Sequence, residues 1–97
     1  MEKLALLVTL EAKPGKEMAV ENFLKSGLAL VEQEPETMKW FALKISEGKY
    51  GIFDTFNDEN GRKAHLSGKV AEALMANAAD LLSTPPVIEM VDLIAIK

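Results

Sequence analysis

The sequence contains no cysteine and only one histidine, His65. Disulfides, thiolate nucleophiles and cysteine-ligated metal centres are therefore excluded, and so are the usual metal sites built from several histidines. No apolar run approaches the ~20 residues that a membrane-spanning helix needs. The start of the chain shows no signal-peptide pattern, and no phosphate-binding loop or glycine-rich dinucleotide motif is present. We therefore expect a cytoplasmic protein with no membrane segment, no metal and no cofactor.

Positive charge is also scarce. The 97 residues include 11 Lys and Arg against 15 Asp and Glu, which gives a net charge of -4. The basic residues are scattered along the chain, so no patch is predicted that would attract a nucleic-acid backbone. A hydrophobic content of 48% is typical of an ordinary globular protein. We predict one domain over residues 1–97 and no nucleic-acid partner.

Apolar periodicity predicts the first strand and the helices. The first strand runs from Lys3 to Ala12, and Pro14 then favours the first turn of a helix. Apolar residues recur every three or four positions from Val20 to Val31, which predicts that helix. Asp58 is predicted to cap a short helical turn. A second main helix is predicted over Lys69–Leu82.

The remaining strands complete the order. Thr37–Ser46 and Lys49–Phe56 are rich in strand-forming residues and are separated by Glu47-Gly48, which predicts an antiparallel hairpin. A last strand is predicted over Val87–Ile96. The order βαββαβ is that of the ferredoxin-like α+β fold, an antiparallel sheet whose right-handed crossovers place two helices on one face.

Both faces of the predicted sheet are apolar. The segments Leu4–Leu10 and Val87–Ile96 are nearly unbroken apolar runs, whereas a strand with one face in water alternates with polar residues. Two helices cover only one face. We therefore predict that the open face packs against a second copy, forming a homodimer.

One glycine interrupts the apolar stripe of the first helix. Gly27 costs about 1 kcal/mol against Ala in a helix, so it either allows close approach of helix and sheet or leaves space for a ligand. Close packing is the favoured interpretation.

Several segments resemble one known family. The strand Tyr50–Phe56 is followed by a polar turn, then by Ala64-His65-Leu66 and a helix beginning near Gly68, and the first strand runs into Lys13–Lys16 and a helix. This pattern resembles the antibiotic biosynthesis monooxygenase family over essentially the whole chain. The resemblance implies a dimeric α+β barrel of two ferredoxin-like subunits, with a pocket between sheet and helices in each.

The resemblance also implies a function. Better-understood members oxidise polycyclic phenols or quinols with molecular oxygen and without metal or flavin. His65 matches the family's histidine after the third strand, and His is suited to removing a phenolic proton. The haem-degrading branch has an Asn on its first strand, where this chain has Leu7, Val8 and Thr9, so haem degradation is not implied. The alternatives are a non-catalytic small-molecule-binding or stress-response dimer, or a dimer that serves only protein association.

Each candidate site residue also has a structural interpretation. His65 either acts as the base or packs at the helix start. Asp54, inside an apolar strand, acts as a second base, orients His65, or forms an ion pair with Arg62 or with a Lys across the dimer, and the ion pair is favoured. Trp40, Tyr50 and Phe56 are the candidate substrate-binding residues for a planar aromatic ligand, or else they anchor the core or the interface. The role of Asp92 is open.

Overall fold

The computed structural model describes residues 1–97 and contains the predicted elements in the predicted order. The short helical turn after Asp58 is a full helix of eight residues. The elements are β1 (Leu4–Glu11), α1 (Glu17–Val31), β2 (Thr37–Ser46), β3 (Lys49–Phe56), α2 (Glu59–Leu66), α3 (Lys69–Leu81) and β4 (Val87–Asp92).

The four strands form one antiparallel sheet in the order β2-β3-β1-β4. The predicted ferredoxin-like α+β fold is therefore confirmed. The β2–β3 hairpin turns through Glu47-Gly48, and Gly48 has a φ of 78°, a left-handed conformation that glycine adopts without steric cost. Strands β1 and β3 lie at the centre of the sheet, and the helices pack over one of its faces.

The core lies between that face and the helices. Its central cluster consists of Val8, Leu10, Tyr50 and Ile52 from the sheet, with Val20, Leu24, Leu74 and Leu82 from the helical side. Burial of each large apolar side chain contributes about 1.5–3 kcal/mol relative to exposure. Residues two apart on a strand point the same way. The even-numbered central residues of β1 and β3, Asp54 among them, therefore all face this core.

The opposite face of the sheet is apolar and is not covered by the chain's own helices. Phe41 pairs with Phe53 across β2 and β3 on this face, and 48% of Phe41 is exposed. Ile45 has the same parity on β2 and is also exposed. The sequence therefore predicted a second apolar face correctly.

Two boundaries differ from the prediction. Pro14 lies in a turn with Gly15, not in the first helical turn, because the φ of 87° at Gly15 is incompatible with a right-handed helix and α1 begins only at Glu17. The last strand ends at Asp92, not at Ile96. Asp92 pairs with Leu4, the first residue of β1, so the following residues have no neighbouring strand.

Gly27 allows close packing, as favoured from the sequence. A Cβ atom at this position would lie 3.3 Å from Cη2 and Cζ2 of Trp40. The indole ring therefore occupies the space beside the Gly27 backbone. No helix in the structure is both long and apolar enough to cross a membrane.

Candidate functional site

His65 lies between two carboxylates in the last turn of α2. Its Nε2 is 2.9 Å from Oδ2 of Asp54, and its Nδ1 is 2.5 Å from Oε1 of Glu34. Helix α2 is fixed at its other end by Asp58, whose side chain accepts a hydrogen bond from the Gly61 amide. The imidazole therefore joins β3, α2 and the loop between α1 and β2. We call Glu34, Asp54 and His65 the carboxylate–imidazole cluster.

Asp54 is the buried end of this cluster. Only 1% of its side chain is exposed. The contact with His65 is close but lacks the linear geometry of a hydrogen bond, and neither carboxylate oxygen has another donor. This geometry fits the interpretation in which Asp54 orients His65.

The favoured ion pair between Asp54 and Arg62 is wrong. Arg62 instead donates to the Glu59 carboxylate, with Nη2 2.7 Å from Oε2. Its Nη1 also donates to the backbone carbonyls of Ala5 and Val91, each at 3.3 Å. The guanidinium therefore lies over β1 and β4, away from Asp54.

The sequence analysis missed Glu34 and Thr37. The Thr37 hydroxyl donates to Oε1 of Glu34 at 2.9 Å and lies 3.4 Å from Nδ1 of His65. Nothing local in the sequence marks either residue, because a Glu before Pro35 in a loop is typical of a helix end. Only the packing of this loop on α2 reveals the contact.

Both ring nitrogens of His65 face carboxylate oxygens, which favours a proton on each of them. Burial lowers the pKa of His65, but the close contacts with Asp54 and Glu34 and their charges outweigh burial and raise that pKa above its ordinary value of 6.5. The position of His65 in the last turn of α2 favours positive charge as well. The cluster therefore favours the imidazolium form of His65.

The start of α3 lies against Glu34. A Cβ atom on Gly68, the residue before α3, would lie 2.9 Å from Oε2 of Glu34. A helix start carries partial positive charge, which stabilises an anion nearby. The start of α3 thus favours the negative charge of Glu34, and the end of α2 favours the positive charge of His65.

A polar cleft of about 160 Å³ opens beside the cluster. Glu34, Thr37 and His65 line it, together with Glu36 and Gly61. The ring of Phe56 packs against the imidazole, with centroids 5.4 Å apart and planes tilted by 45°. The cleft is therefore lined by two members of the cluster, Glu34 and His65.

Trp40 adjoins this site, and Tyr50 does not. Trp40 is the cross-strand partner of Asp54 on the same face, and its indole N–H is buried without an acceptor. Tyr50 lies four residues from Asp54, which is about 13 Å along a strand. It lines a separate cleft of about 160 Å³ beside α1 and β2.

The Tyr50 hydroxyl donates to Oε2 of Glu21 at 2.8 Å. The hydrogen bond to Glu21, together with burial, raises the pKa of Tyr50 to about 12. The structure therefore brings Asp54, Phe56, His65 and Trp40 together and leaves Tyr50 in a cleft of its own.

A solved structure closely resembles this one. It is a protein of unknown function from Nitrosomonas europaea, 59% identical, with a TM-score of 0.98 over 100% of this chain and 94% of that chain. The chain belongs to the same family as this Nitrosomonas protein.

More distant structures share the fold of this family. A candidate antibiotic biosynthesis monooxygenase from Caulobacter crescentus is 22% identical, with a TM-score of 0.82 over 97% of this chain and 92% of that chain. A second candidate antibiotic biosynthesis monooxygenase, from Nitrosomonas europaea, is 14% identical, with a TM-score of 0.83 over 95% and 90%. The chain therefore has an antibiotic biosynthesis monooxygenase-like fold, and the resemblance predicted from the sequence is confirmed at that level. No protein-family model and no curated protein matches the sequence.

The carboxylate–imidazole cluster of this monooxygenase-like fold is not arranged as a metal site. The two His65 nitrogens face opposite carboxylates, so the donor atoms do not converge on one point. No group of three or more His, Cys, Asp or Glu side chains in the structure is placed to hold a metal ion.

Proposed function

We propose that the protein is a cofactor-independent monooxygenase that oxidises a planar phenolic or quinol-type small molecule with molecular oxygen. In this reaction the substrate loses two hydrogens and gains one oxygen atom, and the second oxygen atom leaves as water. The phenolic proton must leave first, because the resulting anion is rich enough in electrons to react with oxygen. The observation that carries the proposal is a proton-exchanging cluster around His65 beside a cleft open to small molecules.

The size of the cleft narrows the substrate class. Pockets for drug-sized ligands span about 300–1,000 Å³, whereas the cleft beside His65 has about 160 Å³. A single substituted ring suits this space better than a polycyclic phenol.

The predicted site residues take distinct parts in this proposal. Proton transfer belongs to the cluster that contains His65 and Asp54. Phe56 packs against His65, and Trp40 lies across from Asp54 with a buried indole N–H that has no acceptor in the chain. Tyr50 remains a proposed ligand contact, in its separate cleft.

We also propose a cytoplasmic homodimer formed through the open sheet face. The support is the exposed apolar surface around Phe41 and Ile45, since large exposed apolar patches mark interaction sites. A second copy presents the same apolar surface, so the two copies can pack face to face in a symmetric dimer.

Oxygen consumption tests the activity. Metal-stripped protein is mixed with a panel of substituted hydroquinones and anthrones, and His65→Ala is compared with Lys63→Ala, an exposed position on the same helix. We expect uptake by the wild type, a loss of about 10²-fold or more in His65→Ala as for loss of acid–base catalysis, and little change in Lys63→Ala. Absence of uptake by the wild type across the panel overturns the proposal.

A non-catalytic ligand-binding dimer is the second candidate function. It is favoured by one observation, that both nitrogens of His65 are already engaged by carboxylates. Saturable binding of the same phenols, measured by calorimetry, without oxygen uptake would support this candidate.

A further inference from the structure

The carboxylate–imidazole cluster has more acceptors than donors. Oε2 of Glu34 and both carboxylate oxygens of Asp54 are buried without a hydrogen-bond donor. Buried acceptors without donors are rare and unfavourable. The cluster therefore gains from any change that adds a proton.

The balance of acidic and basic groups in the carboxylate–imidazole cluster also favours the uptake of a proton. Two acidic side chains flank one imidazole in a largely buried site, so the cluster has more acidic than basic groups. The other charged groups near the cluster do not offset this excess of acidic side chains. Glu36, from the same loop as Glu34, adds a further negative side chain to the cleft. On α2, Arg62 is paired with Glu59, and Lys63 is exposed.

Only one member of the cluster has substantial access to the cleft. The side chain of Glu34 is 18% exposed, against 7% for His65 and 1% for Asp54. Both nitrogens of His65 face the flanking carboxylates. Because Oε2 of Glu34 is buried, a hydroxyl in the cleft can approach this carboxylate only at Oε1, the oxygen that also faces His65 and Thr37.

We propose that Glu34 accepts the proton from the substrate hydroxyl, while His65 and Thr37 position its carboxylate. This inference rests on the proposed function and assigns its proton-transfer step. The O–H bond of the phenol breaks, its electron pair stays on the phenolic oxygen, and a new O–H bond forms on Glu34. His65 stays an imidazolium and holds Glu34 through Nδ1, and the Thr37 hydroxyl donates to the same oxygen.

The proposal predicts the pH profile of oxygen uptake. If Glu34 is the acceptor, the enzymatic rate does not rise with the deprotonation of His65. If neutral His65 is the acceptor, the rate rises with the deprotonation of His65, above pH 6.5. Hydroquinones also react with oxygen without enzyme, so that background is subtracted at each pH.

Three variants separate catalysis from positioning. We expect Glu34→Gln to lose about 10²-fold or more of the rate, and the control Glu32→Gln, an exposed carboxylate at the end of α1 outside the cleft, to stay within about two-fold. Thr37→Val, which removes the hydroxyl that donates to Glu34, should lower kcat with little change in KM. If Glu34→Gln does not fold, as judged by circular dichroism, Glu34→Asp replaces it and should retain a measurable, lowered rate that does not rise with the deprotonation of His65.

Nitrogen NMR gives a readout that does not depend on activity. The chain has one histidine, so ¹⁵N-histidine labelling reports His65 alone, and we expect both nitrogens to show the imidazolium form at pH 7. Two outcomes overturn this inference but not the proposed function. One is a neutral imidazole ring at pH 7, and the other is an active wild type whose rate is less than ten-fold above that of Glu34→Gln. A wild type without oxygen uptake overturns the proposed function as well.

Discussion

The carboxylate of Asp54 and the imidazole of His65 meet over the helix-facing side of the sheet, with Oδ2 and Nε2 2.9 Å apart. Asp54 belongs to the central strand β3 and His65 to the end of α2, so the contact ties α2 to the sheet. Because Asp54 has no other partner, its charge and that of His65 depend on each other.

Replacing Asp54 tests this dependence. Asp54→Asn keeps the shape but removes the charge, and we expect the free energy of unfolding to fall by about 1–3 kcal/mol, the cost of leaving a buried polar group without its partner. The pKa of His65 should fall in the same variant, since Asp54 helps to raise it. Urea denaturation and an NMR titration of His65 measure the two effects. Asp92→Asn, an exposed carboxylate at the end of β4, should change neither.

The stability of the fold should decrease as the pH rises above neutrality. The pKa of His65 is raised in the folded protein, so its contribution is fully present below 6.5, the unfolded value, and is lost as the pH rises through the folded value. Denaturation at a series of pH values from 6 to 9 measures this slope. His65→Gln should flatten it, and an equal slope in this variant would assign the pH dependence to other groups.

Gly68 is predicted to control the position of Glu34. In Gly68→Ala the new Cβ would lie 2.9 Å from Oε2 of Glu34, so the carboxylate must shift away from its contact with His65. We expect the pKa of His65 to fall, as seen by NMR titration. Ser67→Ala, which adds no atom beside Glu34, is the control. An unchanged pKa in Gly68→Ala would show that Glu34 moves without losing His65.

Tyr50 should ionise only in strong base. Its pKa is raised to about 12, first by the hydrogen bond to Glu21. The chain has one tyrosine, so the absorbance of tyrosinate reports this residue directly. Glu21→Gln should lower the pKa toward the ordinary value of 10, whereas Glu17→Gln should have little effect. Titration of the wild type near pH 10 would contradict the buried hydrogen bond.

Charge on the open sheet face should prevent dimer formation. Phe41→Lys places an ammonium group on the exposed apolar surface, and Leu7→Lys places one on the same face of β1. We expect sedimentation equilibrium to give twice the 10.6 kDa chain mass for the wild type and a monomer for these variants. Met18→Lys, at an exposed position on α1, is the control. A stable, monomeric wild type would contradict the proposed dimer.

Much of the site geometry was predictable from strand parity. Alternation on β3 places Asp54 with Tyr50, Ile52 and Phe56 on one face, and the structure has all four there. Strand parity shows which face of the sheet a side chain lies on, but not whether two side chains on that face reach the same pocket. The sequence analysis therefore assigned Tyr50 and His65 to one pocket, whereas the structure places them in two.

The order of elements, the β2–β3 hairpin and the two apolar faces were determined by the sequence itself, because periodicity and turn residues act between neighbours along the chain. The tertiary structure alone decided the partners of His65. Glu34 lies 31 positions away in an irregular loop, and the choice of His65 over Arg62 as the partner of Asp54 depends on how α2 packs across β1 and β3. Contacts of this kind arise from the packing of distant segments, which no local pattern encodes.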